Sequence, residues 1–222
     1  MRTLYHYPLC PFSRKVRLML AEKLLDFSAM IEEPWSAHQA FLDINPTGEV
    51  PYLVDPSGDH IGGSVAIVEY LEETCPDTPL LGKTLQESVE VRRLVEWFDV
   101  KFYTEVYQKL LYEKVLKRFW ETRGPDSDAI RHGKKNIETH LLYITWLTDR
   151  RNWLAGDFFS LADAAAAAHL STLDYVGEIP WAKYPEAKDW YARIKSRPSF
   201  RDLLRDRIAA FPPATHYADL DF

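Results

Sequence analysis

The chain has 222 residues, enough for two small domains, and a formal net charge of −6. Because binding to a phosphate backbone needs a basic surface, this charge argues against a nucleic-acid-binding protein. The two cysteines form no disulfide framework, and no stretch approaches the roughly 18 uninterrupted apolar residues of a membrane span. The first residues lead directly into a strand pattern without an apolar signal region. We therefore expect a cytoplasmic protein with no membrane insertion.

The first third of the chain predicts alternating strands and helices. Pro11 suits the first turn of a helix, where its missing N–H costs nothing, and Ser64 is a suitable N-cap. Apolar periodicity and turn residues place strands at 3–7, 26–31, 50–54 and 60–61, and helices at 13–23, 37–43 and 65–73. This βαβαββα order predicts a thioredoxin-like domain over residues 1–75.

The rest of the chain predicts helices only. A proline-rich linker at 76–83 separates the first domain from an all-α domain over 84–210. Ser160 and Asp163 have the spacing of a capping box with Asp in place of Glu. The predicted helices cover 84–120 as one or two rods, 126–149, 160–175, 184–197 and 201–208. Two prolines end regular structure, so residues 211–222 are predicted to form a free, extended tail.

Three local features in the first domain carry chemical information. Cys10 follows a strand and opens a helix, where backbone amides can lower a thiol pKa; the alternative is a small buried residue. Pro51 follows a tight turn, so a cis Val50–Pro51 bond is expected, the alternative being a trans proline that begins an edge strand. The helix start at Ser64 could hold a carboxylate on its amides, or be a plain cap.

In this order and spacing the three features resemble the glutathione transferase family, over roughly residues 1–205. The resemblance implies a two-domain α+β fold, with the thioredoxin-like domain followed by the all-α domain. It also implies a glutathione-type pocket, in which Cys10, near Ser13, occupies the catalytic position. Val50, before Pro51, would pair with the glutathione backbone, and Ser64 would hold its γ-glutamyl carboxylate.

One departure from that family weakens the expected glutathione site. The family usually has an acidic residue directly before the serine, where this chain has Gly63, and Glu49 adds a negative charge beside an anionic tripeptide. A hydrogen bond to a charged group contributes roughly 1.5–3 kcal/mol, so its loss would weaken binding about ten- to a hundredfold. We therefore expect no cofactor, no metal and at most a vestigial pocket.

Three other segments, residues 111–118, 150–157 and the tail at 216–222, are similar to alphaproteobacterial division proteins that have the transferase fold and bind the tubulin homologue FtsZ. That resemblance implies a non-enzymatic, homodimeric adaptor at midcell that links FtsZ filaments to wall synthesis. The alternative is a glutathione-dependent transferase or thiol transferase using Cys10. Candidate partner-binding residues are Trp35, Lys114, Lys117, Arg118, Asp219, Leu220, Asp221 and Phe222.

Each of these candidates also has a plainer interpretation. Trp35 could be a packed core residue, and the basic residues at 114–118 a solvated helix face. The tail could be an idle disordered end. For the dimer, we expect the helix from Thr84, with Leu94 and Trp97, to lie at or near the two-fold interface.

Overall fold

The computed structural model describes residues 1–208 and 211–220, and its first domain is built on a four-stranded mixed sheet. The strand order is β2-β1-β3-β4, with β1 parallel to β2 and antiparallel to β3. This confirms the predicted βαβαββα arrangement. The elements are β1 (Arg2–His6), α1 (Pro11–Glu22), β2 (Phe27–Ile31), α2 (Gln39–Leu42), β3 (Tyr52–Val54), β4 (His60–Gly62) and α3 (Ser64–Thr74).

The second domain is helical, as predicted. Its first rod runs unbroken as α4 (Leu85–Glu96), a π-helical segment (Trp97–Leu116) and α5 (Lys117–Trp120). The further helices are α6 (Ser127–Thr148), α7 (Leu161–Tyr175), α8 (Pro185–Lys195) and α9 (Arg201–Leu204). The predicted last helix over 201–208 is therefore too long, because α9 ends at Leu204. No helix in the described part of the chain is long and apolar enough to cross a membrane.

Helix α7 forms the centre of the molecule. All of its residues are buried, and it packs against the rod and against α1 of the first domain. The predicted capping box is present: the Ser160 hydroxyl accepts a hydrogen bond from the Ala162 amide, and the Asp163 carboxylate accepts from the Ser160 amide at 3.1 Å. The buried Asp163 also accepts from the indole of Trp190 at 3.0 Å. These bonds satisfy a carboxylate whose burial would otherwise be costly.

The prediction of a free tail is wrong for the described residues. Tyr217 is fully buried, and its hydroxyl accepts from the buried Arg14 guanidinium at 2.8 Å and donates to the Leu203 carbonyl at 3.0 Å. The His216 ring lies 2.9 Å from the buried Asp174 carboxylate. A buried charge needs hydrogen-bonding partners, and the tail supplies them to both Arg14 and Asp174. Residues 211–217 of the tail are therefore part of the folded structure.

Candidate functional site

The thiol of Cys10 lies at the start of α1, as the sequence predicted, but its surroundings disfavour the thiolate. Cys10 is the N-cap residue of α1, and its Sγ lies 3.8 Å from the Val50 carbonyl oxygen. Burial raises the pKa of the Cys10 thiol, and the hydrogen bond with Ser13 opposes this only partly. Burial therefore outweighs the helix amides, which favours the alternative of a small buried residue over an activated thiolate.

The Val50–Pro51 peptide bond is cis, as predicted. It lies beside the Cys10 loop, and the Pro51 carbonyl accepts a hydrogen bond from the Gly63 amide at 3.1 Å. The Val50 amide makes no hydrogen bond with any residue in 1–208 or 211–220. The backbone of Val50 is therefore available for pairing with an extended peptide.

The predicted N-cap at Ser64 is wrong. Gly63 occupies the N-cap position of α3 with φ of 83°, in the left-handed region that glycine adopts without strain, and Ser64 is the first helical residue. Ser64 is buried and is not part of the cavity wall beside Cys10. The structure thus brings Cys10 and Val50 together in one cavity and leaves Ser64 outside its lining.

Aromatic side chains form most of the wall of this cavity, which has a volume of about 420 Å³. Tyr103 and Tyr107 come from successive turns of the rod and stack at 4.9 Å between ring centroids. Their spacing of four residues on one helix face is a signal from which the wall could have been predicted. The lining residues are Tyr7, Cys10, Phe12, Pro34, Trp35, Glu49, Val50, Tyr103, Tyr107, Tyr112, Leu116 and Trp120.

Trp35 is half-buried in the cavity rim rather than in a closed core. Its ring stacks on Phe119 at 4.5 Å and 8°, and it meets Tyr7 and Trp120 nearly at right angles. Phe119 and Trp120, at the end of α5, are 38% and 52% exposed. These rings make an aromatic rim on the surface, of which the sequence predicted only Trp35.

The predicted basic patch is largely neutralised. Lys114 pairs with Glu178, and Lys117 pairs with Glu113 at 2.9 Å. Arg118 is exposed, and its guanidinium lies 3.9 Å from the ring centroid of Phe211. Because each lysine already has a carboxylate partner, Lys114 and Lys117 do not form a free cationic surface, and Arg118 alone of the three is exposed.

The tail residues proposed for partner binding fall into two groups. Asp219 and Leu220 are exposed, and Leu220 retains 42% of its accessible surface. Asp221 and Phe222 lie outside the described residues. The hydrogen bonds of the buried Tyr217 hold the chain just before Asp219 and Leu220 against the rest of the protein. Their role in partner binding stays a prediction.

The described residues contain no group of three or more His, Cys, Asp or Glu side chains that could hold a metal ion.

Comparison with known proteins connects the architecture to a family. The model "Glutathione S-transferase, N-terminal domain" matches residues 4–79, and "Glutathione S-transferase, C-terminal domain" matches residues 134–198. The chain belongs to the glutathione transferase family. The resemblance inferred from the sequence is confirmed.

Some relatives are similar to this chain along its entire length. FtsZ-localized protein A of Caulobacter vibrioides is 48% identical over 224 residues, covering 100% of this chain and 98% of the relative. The structure of FzlA from C. crescentus has a TM-score of 0.95 at 47% identity, covering 100% and 99% of the two chains. A glutathione S-transferase structure from Rhodospirillum rubrum F11 has a TM-score of 0.96 at 55% identity over both complete chains.

Proposed function

We propose that this protein is an FtsZ-associated cell-division protein that uses the glutathione transferase fold as a binding scaffold. The observation that carries the proposal is the 48% identity to FtsZ-localized protein A along the entire chain. The match includes both domains and the tail, so it extends beyond what the shared fold requires. Its counterpart in three dimensions is the similarity to FzlA over the full length.

The chemistry of the cavity supports a binding role over catalysis. A nucleophilic cysteine acts as the thiolate, whereas burial raises the pKa of the Cys10 thiol and favours the protonated form. The cavity lining contains Glu49 and no lysine or arginine to receive the carboxylates of glutathione. Both features disfavour a glutathione thiolate chemistry centred on Cys10.

The second candidate function is a glutathione-dependent transferase or thiol transferase. The observation in its favour is that Cys10 and the Val50 backbone line one open cavity, in the arrangement that the family resemblance implies. Calorimetry with glutathione distinguishes the two functions. We expect no binding at micromolar glutathione; tight binding, with turnover lost in Cys10→Ala, would favour the enzyme.

We also propose that the adaptor is a homodimer at the division site and that it couples FtsZ to wall synthesis. A dimer presents each contact twice, so avidity can organise filaments even when a single contact is weak. That the helix from Thr84 lies at or near the two-fold interface stays a prediction; Leu94 is fully buried within its own chain, and the Trp97 indole donates to His140 at 3.0 Å. The solvent face of the same rod instead exposes Leu85, Val89 and Val100.

A localisation experiment in the source organism tests the proposal. We expect a fluorescent fusion of the full chain to concentrate at midcell and to disperse when FtsZ is depleted. A fusion that carries Tyr184→Phe, a change outside the cavity lining, should localise in the same way. Uniform cytoplasmic fluorescence in cells with intact FtsZ rings would contradict the proposal.

A further inference from the structure

The cavity beside Cys10 has the wrong charge for an anionic ligand. Its lining contains one carboxylate, Glu49, and no basic side chain. Within residues 1–208 and 211–220 the Glu49 carboxylate has no ion-pair partner. Two further carboxylates lie close to the wall. Glu121 accepts a hydrogen bond from the Tyr112 hydroxyl at 2.9 Å. The pKa of Tyr7 is raised mainly by burial of its own hydroxyl and further by the negative charge of Glu33. The cavity therefore favours a positive charge.

The walls of the cavity suit an organic cation. Aromatic faces attract ammonium and guanidinium groups through the ring quadrupole, most strongly where water is displaced. Trp35 meets Tyr7 at 78° and Trp120 at 82°, with ring centroids 4.9 and 6.2 Å apart. Trp35 thus contacts both of these rings, all three line the same cavity as Tyr103, and Phe119 covers one face of Trp35. The ring surface that faces the cavity can pack against the apolar stem of a side chain and attract its cationic end.

The Val50 backbone adds a site for a peptide. Its amide makes no hydrogen bond within the described part of the chain, and its carbonyl oxygen meets only the weak thiol donor of Cys10 at 3.8 Å. An extended peptide could pair with both groups of Val50, as an added strand pairs with a sheet edge. Glu49 is the residue next to this backbone. A backbone amide without a hydrogen bond and a carboxylate without an ion-pair partner, both within the described residues, thus adjoin one aromatic cavity.

We propose that this cavity binds an extended peptide segment through the side chain of an arginine or lysine. The peptide backbone pairs with Val50, the cationic end lies among the aromatic walls, and Glu49 provides the opposite charge. The proposed ligand is opposite in charge to glutathione. The proposal rests on the cavity alone, so it stands or falls independently of FtsZ association.

Short blocked peptides test this proposal by NMR titration of the full-length protein. The probe is acetyl-Gly-Arg-Gly-amide, and its neutral isostere carries citrulline in place of arginine. We expect the arginine peptide to shift the Val50 amide and the Trp35 and Trp120 indole signals, with a dissociation constant at least about tenfold lower than that of the citrulline peptide. A glutamate peptide should not bind. Butylguanidinium, which has the same single cation without the peptide backbone, should bind more weakly than the arginine peptide.

Two matched variants test whether Glu49 causes the preference for a positively charged peptide. Glu49→Gln should remove most of the difference between the arginine and citrulline peptides, while Glu73→Gln, an exposed carboxylate on α3 outside the cavity, should leave it intact. Both side chains are exposed, so neither change should affect folding. Equal binding of the arginine and citrulline peptides, or no shift with any probe, would overturn the proposal. Equal binding of butylguanidinium and the arginine peptide would overturn its peptide part and indicate a site for a small cation.

Discussion

Replacing Tyr217 by phenylalanine should measurably destabilise the protein, because the tail is docked through this hydroxyl. The hydroxyl accepts from the fully buried Arg14 guanidinium and donates to the Leu203 carbonyl. A hydrogen bond to a charged group contributes about 1.5–3 kcal/mol and a neutral one about 1 kcal/mol. Arg14 keeps the Pro8 carbonyl and the Ser171 hydroxyl as partners, which limits the loss. We expect a cost of about 2–4 kcal/mol in the free energy of unfolding.

The assay is thermal unfolding followed by circular dichroism, with urea midpoints as a second measure. For a chain of this size the expected loss corresponds to a melting temperature lower by about 4–16 °C. Tyr184→Phe is the matched control, because the Tyr184 hydroxyl makes no hydrogen bond within the described residues. The control should stay within about 0.5 kcal/mol of the unsubstituted protein. If Tyr217→Phe melts together with that control, the tail does not depend on this contact and the docking argument is refuted.

Three further predictions concern acid sensitivity, the thiol and assembly. Burial lowers the pKa of His6 and His140 to about 4, so the unfolded chain binds these protons at a higher pH than the folded chain does. Lowering the pH from 7 to 5 should therefore reduce the free energy of unfolding by on the order of 2 kcal/mol per histidine. Equal stability in urea titrations at both pH values would contradict this. The raised pKa of His216 beside Asp174 acts in the opposite direction, since its stabilisation is present at low pH and lost as the pH rises through the folded-state pKa. In a Cys75→Ser background, iodoacetamide should alkylate Cys10 at pH 7 at least about tenfold more slowly than free cysteine, and an equal or faster rate would show an activated thiol. Light scattering should report dimers that Val89→Glu dissociates, whereas Ile31→Glu, an exposed position on the edge strand β2, should leave them intact. A monomeric unsubstituted protein would exclude the dimer.

Local signals explain why most of the fold could be predicted from the sequence. The Ser160–Asp163 capping box and the cis bond at Pro51 each depend on a few neighbouring residues, and both are present. The ion pair of Lys117 with Glu113 also has a local signal, because the two residues are four apart on one helix. Its effect on the proposed basic patch was therefore predictable.

Long-range contacts explain what the sequence could not reveal. Arg14 and Tyr217 are 203 residues apart, and Lys114 and Glu178 are 64 apart, so no local pattern pairs them. The pKa of Cys10 depends on burial of the thiol in the folded chain, which outweighs the helix start that the sequence shows. The tail contains little apolar surface, but it docks through polar groups that satisfy buried charges.

Association with FtsZ is the central claim, and co-sedimentation with polymerised FtsZ from the same organism tests it most directly. We expect the purified protein to pellet with GTP-assembled FtsZ in a saturable manner and to stay in the supernatant when FtsZ is held unassembled with GDP. Tyr184→Phe should pellet like the unsubstituted protein, which controls for handling. Recovery of the folded protein in the supernatant at every concentration of assembled FtsZ would contradict the account.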